Sequence, residues 1–259
     1  MRSKYSAAAL TALAFAGAAC RTAAPPSGMD PELAVCVPAD TLALAGVHLD
    51  ALRANAAFQQ LSSGWGTLLD PVRDASDALI AYNGKALLVI ARGQFRTAPP
   101  GSRLLNPGLA VAGGEAAVRA AIAQRATGRS GAPMLVGFAE AVASQPIWAV
   151  VSGGAPLPLR GNSANLNRLL GYTDHTTLAA EFPSGVTLRA TGVCRSADAA
   201  RQLEETLRGL ISIAAASTRD RDLAALLGAV QVHREGLAVR ADVTTGIEAA
   251  QKFLALAAR

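Results

Sequence analysis

The chain has 259 residues, of which 51% are hydrophobic and 17% charged, with 58 alanines, three cysteines and a formal charge of +5. That balance excludes a disordered chain, which needs low hydrophobicity together with high net charge. It also excludes a cysteine-dense disulfide scaffold, and the lack of any short period excludes collagen-like and low-complexity classes.

Residues 1–20 read MRSKYSAAALTALAFAGAAC. Arg2 and Lys4 precede an uncharged apolar stretch and then small residues, the layout of a bacterial secretory signal. The apolar stretch is shorter than the roughly 20 residues a membrane span needs. Ala16-Gly17-Ala18-Ala19-Cys20 resembles a lipobox, with Cys20 as the lipidated mature N-terminus, although Gly17 stands where Leu is typical. Ordinary cleavage after Ala16 or Ala18 is the competing reading. Residues 21–36 then form a flexible tether. The expected address is the cell envelope, at the periplasmic face of a membrane, or secretion. Cys36 and Cys194 could pair as a disulfide in that oxidising compartment, or stand as two separate buried thiols.

Loss of Arg2 and Lys4 lowers the formal charge from +5 to +3. The remaining basic residues are almost all arginines scattered among acids, and aromatics are 4% of the chain. Nucleic-acid binders cluster their cations and interleave aromatics, so no nucleic-acid partner is expected.

In chain order, residues 42–49 read as a buried strand, and Asp50 as the cap of a following helix. Trp65, Leu68, Leu69 and Val72 have helical spacing, with Trp65 read either as packed over a helix end or as partly exposed. Asn83-Gly84 joins strands 78–82 and 86–92 as a hairpin. The proline- and glycine-rich segment 94–107 reads as a loop. A strand over 109–112, a Gly113-Gly114 turn and a helix over 115–126 follow. Residues 127–133 are the linker. A helix at 134–143, strand 147–151 containing a core Trp148, and a helix at 165–170 come next. Strands 176–182 and 186–194 form a hairpin, and Ser196 caps a helix over 197–216. A short helix at 221–227, a hairpin of 229–233 with 237–244, and a helix over 246–258 opened by Thr245 and Glu248 complete the chain. Hairpin followed by helix recurs, which defines an α+β fold: antiparallel sheets with helices on one face. Two ferredoxin-like halves, 37–126 and 134–259, are expected, with a continuous sheet as one arrangement of them.

Chemical motifs are sparse. His48, His175 and His233 have no second histidine at ligand spacing; His48 with Asp50, or Asp174 with His175, could form a pair. LAVAGGEAAVRAAI has the strand–glycine–helix shape of an anion-binding turn, but Glu115 occupies the anion's place. Asp70, Asp74 and Asp77 read as a solvated run. G-x-S-x-G and H-E-x-x-H are absent. No cofactor, metal site or catalytic constellation is expected.

The phrases VPADTLALAGVHLDALR, GKALLVIARGQF, LAVAGGEAAVRAAI and GVTLRATGVCRSADAARQLEETLRGL together resemble a group of uncharacterised exported proteins typical of Acidobacteria. The resemblance implies an exported α+β protein and carries no functional residue with it. The leading expectation is therefore a non-enzymatic, membrane-tethered module that binds a partner or supports the envelope. The alternatives are a carrier of apolar ligands in a sheet–helix cavity, which a contiguous apolar cavity of several hundred Å3 would favour, and a hydrolase of unusual motif, which would need His48, Asp50 or His175 to converge with another polar group.

Overall fold

A computed structural model describes residues 28–63, 73–99, 101–157 and 166–257. The signal segment, Cys20, and the helix expected around Trp65 lie outside the described residues.

The fold begins within the expected tether. Asp30 caps helix α1 (Pro31–Ala34) by accepting from the Glu32 amide at 2.8 Å, and Pro31 sits where a missing N–H costs nothing. Cys36 and Val37 are fully buried just beyond it. The tether expected over 21–36 is thus shorter, because Leu33 and Cys36 are core residues.

Strand β1 (Ala43–His48) leads into two short helices, α2 (Leu49–Arg53) and α3 (Ala56–Ser62), in place of one. The break lies at Asn55, whose side chain accepts from the Phe58 amide at 2.9 Å and caps α3. Asp50 sits in the first turn of α2 and bonds Arg53 at 2.7 Å. Strands β2 (Ala75–Tyr82) and β3 (Leu87–Gly93) form the expected hairpin. Gly84 supplies the positive φ, +88°, and the Asn83 side chain accepts from the amides of Lys85 and Ala86. The expected loop 94–107 contains an edge strand, β4 (Ser102–Asn106), paired with β5 (Leu109–Gly113). Edge strands tolerate flanking prolines because one side of the ladder is unpaired. Helices α4 (Glu115–Ala126) and α5 (Pro133–Ala139) follow, and the linker between them is fastened to the fold: the Gly131 amide donates to Val37 at 2.9 Å.

The second half runs β6 (Ile147–Ser152), α6 (Leu166–Leu170), β7 (Thr173–Glu181), β8 (Val186–Cys194), α7 (Ala197–Ser217), α8 (Arg221–Gly228), β9 (Gln231–Glu235), β10 (Ala238–Thr245) and α9 (Ile247–Ala257). Ser196 caps α7 by accepting from the Ala199 amide.

The described strands join in one sheet of ten, ordered β4-β5-β3-β2-β1-β6-β7-β8-β10-β9, with every neighbouring pair antiparallel. The class is α+β. Outward from the central β1–β6 pair, each half shows its first, second, third, fifth and fourth strand in turn. The two halves are therefore repeats of one hairpin-rich plan sharing a continuous sheet. Their strand order is not the interleaved one of a ferredoxin-like half, because short hairpin connections keep consecutive strands adjacent.

Register assigns the faces. Leu44, Leu79, Ile90, Val111, Trp148 and Val150 share the front face, where α1, α4 and α5 cover the first half. Val186, Cys194, Val239 and Val232 lie on the back face, where α7 and α9 cover the second half. The main cover changes sides across the sheet, and each half also takes a helix on its other face: Leu49 of α2 packs with Ala78 and Ala110 on the back of the first half, and Phe138 of α5 stacks on His175 at the front of the second. The alternation in β8 demands the change of sides, since Arg189 and Thr191 point to the front while Ala190, Gly192 and Cys194 point to the back.

An apolar groove as the candidate functional site

On the back face, one cross-strand row runs Ala45–Ala149–Leu178–Ala190–Ala241 through strands β1, β6, β7, β8 and β10. Four of the five residues are alanines, which stand too low to fill the layer between sheet and helices. The next row, Ile147–Ala180–Leu188–Val243, carries bulkier side chains and forms a bank. At a strand spacing of about 4.8 Å, the alanine floor is about 19 Å long across the sheet.

The helices leave this floor uncovered. Ala200 and Leu203 of α7 pack on Cys194, Val232 and Val239 towards one edge of the sheet. Towards the opposite end, α3 and α9 pack Phe58, Leu61, Ile247 and Ala250 on Phe182 and Val186. The space between is a trough of about 440 Å3. It meets a second compartment of about 290 Å3, walled by Phe58, Leu61, Phe182, Leu226 and Phe253. Ile147, Ala180, Leu188, Val230 and Val243 line both compartments and make them one groove. Thr245 is the one polar residue among the described residues lining the inner compartment. Arg189 and Asp242 border the trough, but their side chains meet on the opposite face, Nε to Oδ1 at 2.9 Å.

Apolar side chains remain wet at the mouth: Leu178 is 41% exposed, Leu188 42% and Phe253 40%. Helix α8, which contributes Leu226 and Leu227 to the walls, buries none of its described residues fully. A dry occupant would complete the packing of these side chains, at about 0.8 kcal/mol for each methylene withdrawn from water.

The polar residues singled out from the sequence are dispersed. His48 pairs with Asp77 on β2, Nδ1 to Oδ1 at 2.7 Å, and not with Asp50. Its Nε2 lies 2.7 Å from the Ala143 carbonyl oxygen. A carbonyl and a carboxylate only accept, so both ring nitrogens must donate and the imidazolium is the form that satisfies both bonds. Burial opposes the charged ring, but the Asp77 and Ala143 bonds outweigh it and raise the His48 pKa. Burial likewise opposes the Asp77 carboxylate, and its bonds to His48 and Ser76 outweigh burial and lower its pKa. With both nitrogens engaged, His48 is a structural tie between β1, β2 and the turn before β6, without a free nitrogen for proton transfer. His175 lies towards the other end of the strands, stacked on Phe138 at 3.8 Å between centroids and bonded to Asp174 at 3.2 Å. His233 is exposed on edge strand β9. Asp74 faces Arg73 across 4.0 Å, and Asp70 lies outside the described residues. His48, Asp50 and His175 therefore do not converge. Glu115 sits in the first turn of α4 and pairs with Arg119 at 3.2 Å, as dipole complementation requires. Among the described residues, no three His, Cys, Asp or Glu side chains gather to hold a metal.

The His48 tie has a pH signature. Its stabilisation is complete below the ordinary histidine pKa of about 6.5 and is lost as pH rises through the raised folded value. The Asp77 share is present above about pH 3.9 and lost as pH falls through the lowered folded value. Thermal stability attributable to the pair should therefore be greatest between about pH 4 and 6.5. His48→Gln is expected to flatten the alkaline decline in Tm; an unchanged Tm–pH profile would show that the pair contributes nothing.

Cys36 and Cys194 are free and buried, the second of the two arrangements the sequence leaves open. Cys36 follows α1, which packs on the β3 side of the sheet, while Cys194 ends β8. Five strand spacings separate β3 from β8, about 24 Å, against the roughly 7 Å that a bridge can span. Burial raises both thiol pKa values, with Arg125 partly opposing it at Cys36. Both thiols should resist a thiol reagent in the native protein and react on denaturation without added reductant. A native two-dalton mass deficit between them would contradict this.

No protein-family model matches the chain, and no curated protein matches it. Among solved structures it is similar to crystal form I of TP0453, with TM-score 0.48 and 10% identity over 88% of this chain and 97% of that one. Crystal form III of TP0453 gives TM-score 0.48 and 8% identity, over 87% of this chain and 98% of that one. No helix among the described residues is long and apolar enough to cross a membrane.

The alanine row was not found from sequence. Ala45, Ala149, Ala190 and Ala241 look like small residues that let helices approach a sheet. Only the register, which aligns them across four strands with no helix above, turns them into a trough. The signal present in the sequence was an alanine at a back-facing position of each of these strands.

Proposed function

We propose that this protein is an exported, non-enzymatic binding module, tethered to a membrane through lipid on Cys20, whose groove takes a linear apolar chain such as the acyl chain of a lipid. The observation that carries the reading is the continuous groove of about 440 and about 290 Å3 with an alanine floor and an almost wholly apolar lining. The trough alone falls in the usual range of small-molecule sites. The elongated floor, low at its four alanines, suits an unbranched chain, and the open mouth leaves room for a polar head in water. Export and the tether rest on Arg2, Lys4, the apolar stretch and Cys20 in the sequence.

The test is titration of the purified protein with cis-parinarate, a fluorescent linear fatty acid. Saturable binding, displaced by palmitate and not by a short-chain acid such as butyrate, supports the reading. Absence of saturable binding, or displacement by butyrate as readily as by palmitate, overturns it.

A further inference from the structure

The front face of the second half holds a different kind of space. A cleft of about 460 Å3 lies between α5 with its following turn and strands β7, β8 and β10. It backs onto the apolar groove through the thickness of the sheet, so the two spaces have separate linings except at Ala179 and Arg189.

The floor of the cleft is one rung, Thr177–Thr191–Arg240, set by the register of the three strands. Gln145 approaches from the turn after α5. On the wall, His175 is held by its stack on Phe138 and by Asp174 at Nδ1. The neighbouring carboxylates are already engaged. Arg189 holds Asp242 at 2.9 Å and Glu181 at 3.4 Å. Arg240 has no ion-pair partner among the described residues, and no carboxylate is among the described residues lining the cleft. A guanidinium offers five N–H donors in a planar fork that matches a carboxylate or phosphate. Two threonine hydroxyls on the same rung and a glutamine amide add donors beside it. Arg189 answers the two carboxylates beside the cleft, and Arg240 is left as the guanidinium there without a counter-ion among the described residues.

We infer that this cleft is a second binding site, for a small oxyanion-bearing ligand, with Arg240 gripping the carboxylate or phosphate and Thr177, Thr191 and Gln145 donating to its oxygens. The ligand is polar and sits opposite the groove, so the site does not depend on the proposed acyl-chain binding.

The experiment records amide chemical shifts of the isotopically labelled protein during titration with inorganic phosphate, glycerol phosphate and glucuronate. A saturable shift centred on residues 177, 191 and 240 is expected, and the tightest probe identifies a free phosphate, a phosphate ester or a carboxylate as the source. Arg240→Gln should weaken binding about tenfold, the loss of one charge-assisted contact. Thr191→Val should weaken it less, and Lys85→Gln, in the distant β2–β3 turn, should leave it unchanged. The exposed side chain of Arg240 makes the glutamine variant a mild one for folding, and its spectrum away from the cleft verifies that. No saturable shift with any of the three probes, or equal affinity in Arg240→Gln, overturns the proposal.

Discussion

Ala190→Trp should abolish acyl-chain binding while leaving the fold intact. Ala190 occupies the fourth position of the alanine floor, between Leu178 and Ala241, and its side chain points into the trough. An indole there would fill the space that a chain must cross. Loss of about four methylene contacts removes about 3 kcal/mol, since each contributes about 0.8, which is a loss of affinity above a hundredfold. Stability should hold or rise, because the new ring covers Leu188 and Val243 and fills space that is now open. Two variants complete the measurement. Ala190→Ser keeps the space and should bind nearly as the parent does. Thr191→Val changes the next residue on the opposite face and should leave cis-parinarate affinity unchanged. An Ala190→Trp protein with parental affinity and parental Tm would remove the groove as the binding site.

The elements were largely legible because their signals are local. Helix α4 begins at Glu115 and ends at Ala126 as the glycine turn and alanine-rich stripe dictate, and β8 spans Val186–Cys194 as its alternation dictates. Asn83-Gly84 marks a hairpin through the positive φ of Gly84 and the bonds that the Asn83 side chain accepts from the next two amides. What was not legible depends on partners far along the chain. Strand β4 lies among prolines and is a strand only because β5 offers it an edge. The side of the sheet that each helix takes is a property of packing, and so is the separation of Cys36 from Cys194. His48 shows the same limit: its neighbour in sequence, Asp50, was the visible partner, while Asp77 became the true one through the β1–β2 register, which sets residue 48 opposite residue 77. The groove is the extreme case. It requires five strands in register, two helix groups spaced apart above them, and an alanine at the central position of four of the five strands.

Gly46→Ala is expected to cost about 3 kcal/mol or more, a large share of the 5–15 kcal/mol that holds a typical domain together. Gly46 sits at the middle of β1 and pairs directly with Trp148 on β6. The indole lies flat across the glycine: a Cβ built there would stand 2.1 Å from Cε2 and 2.4 Å from Nε1 of Trp148. No rotation of a single methyl relieves so short a contact, so the ring itself must move. It has little room, being 3% exposed within the front-face core together with Leu44, Leu135 and Ala139. Its Nε1 is already buried without a hydrogen-bond acceptor, so the ring is retained for its packing and not for its polar atom. At 2–4 °C for each kcal/mol in a domain of this size, a Tm loss of about 10 °C is expected. The cause is separable from glycine's backbone freedom. Gly137, within α5, has open space where a Cβ would go, and Gly137→Ala should be neutral or slightly stabilising. In the double variant Gly46→Ala/Trp148→Leu the clash is gone, so the combined loss should fall well short of the sum of the two single losses. Strict additivity, or a parental Tm for Gly46→Ala, would mean that the β1–β6 junction is not built on this contact, and with it the join between the two halves of the sheet would need another explanation.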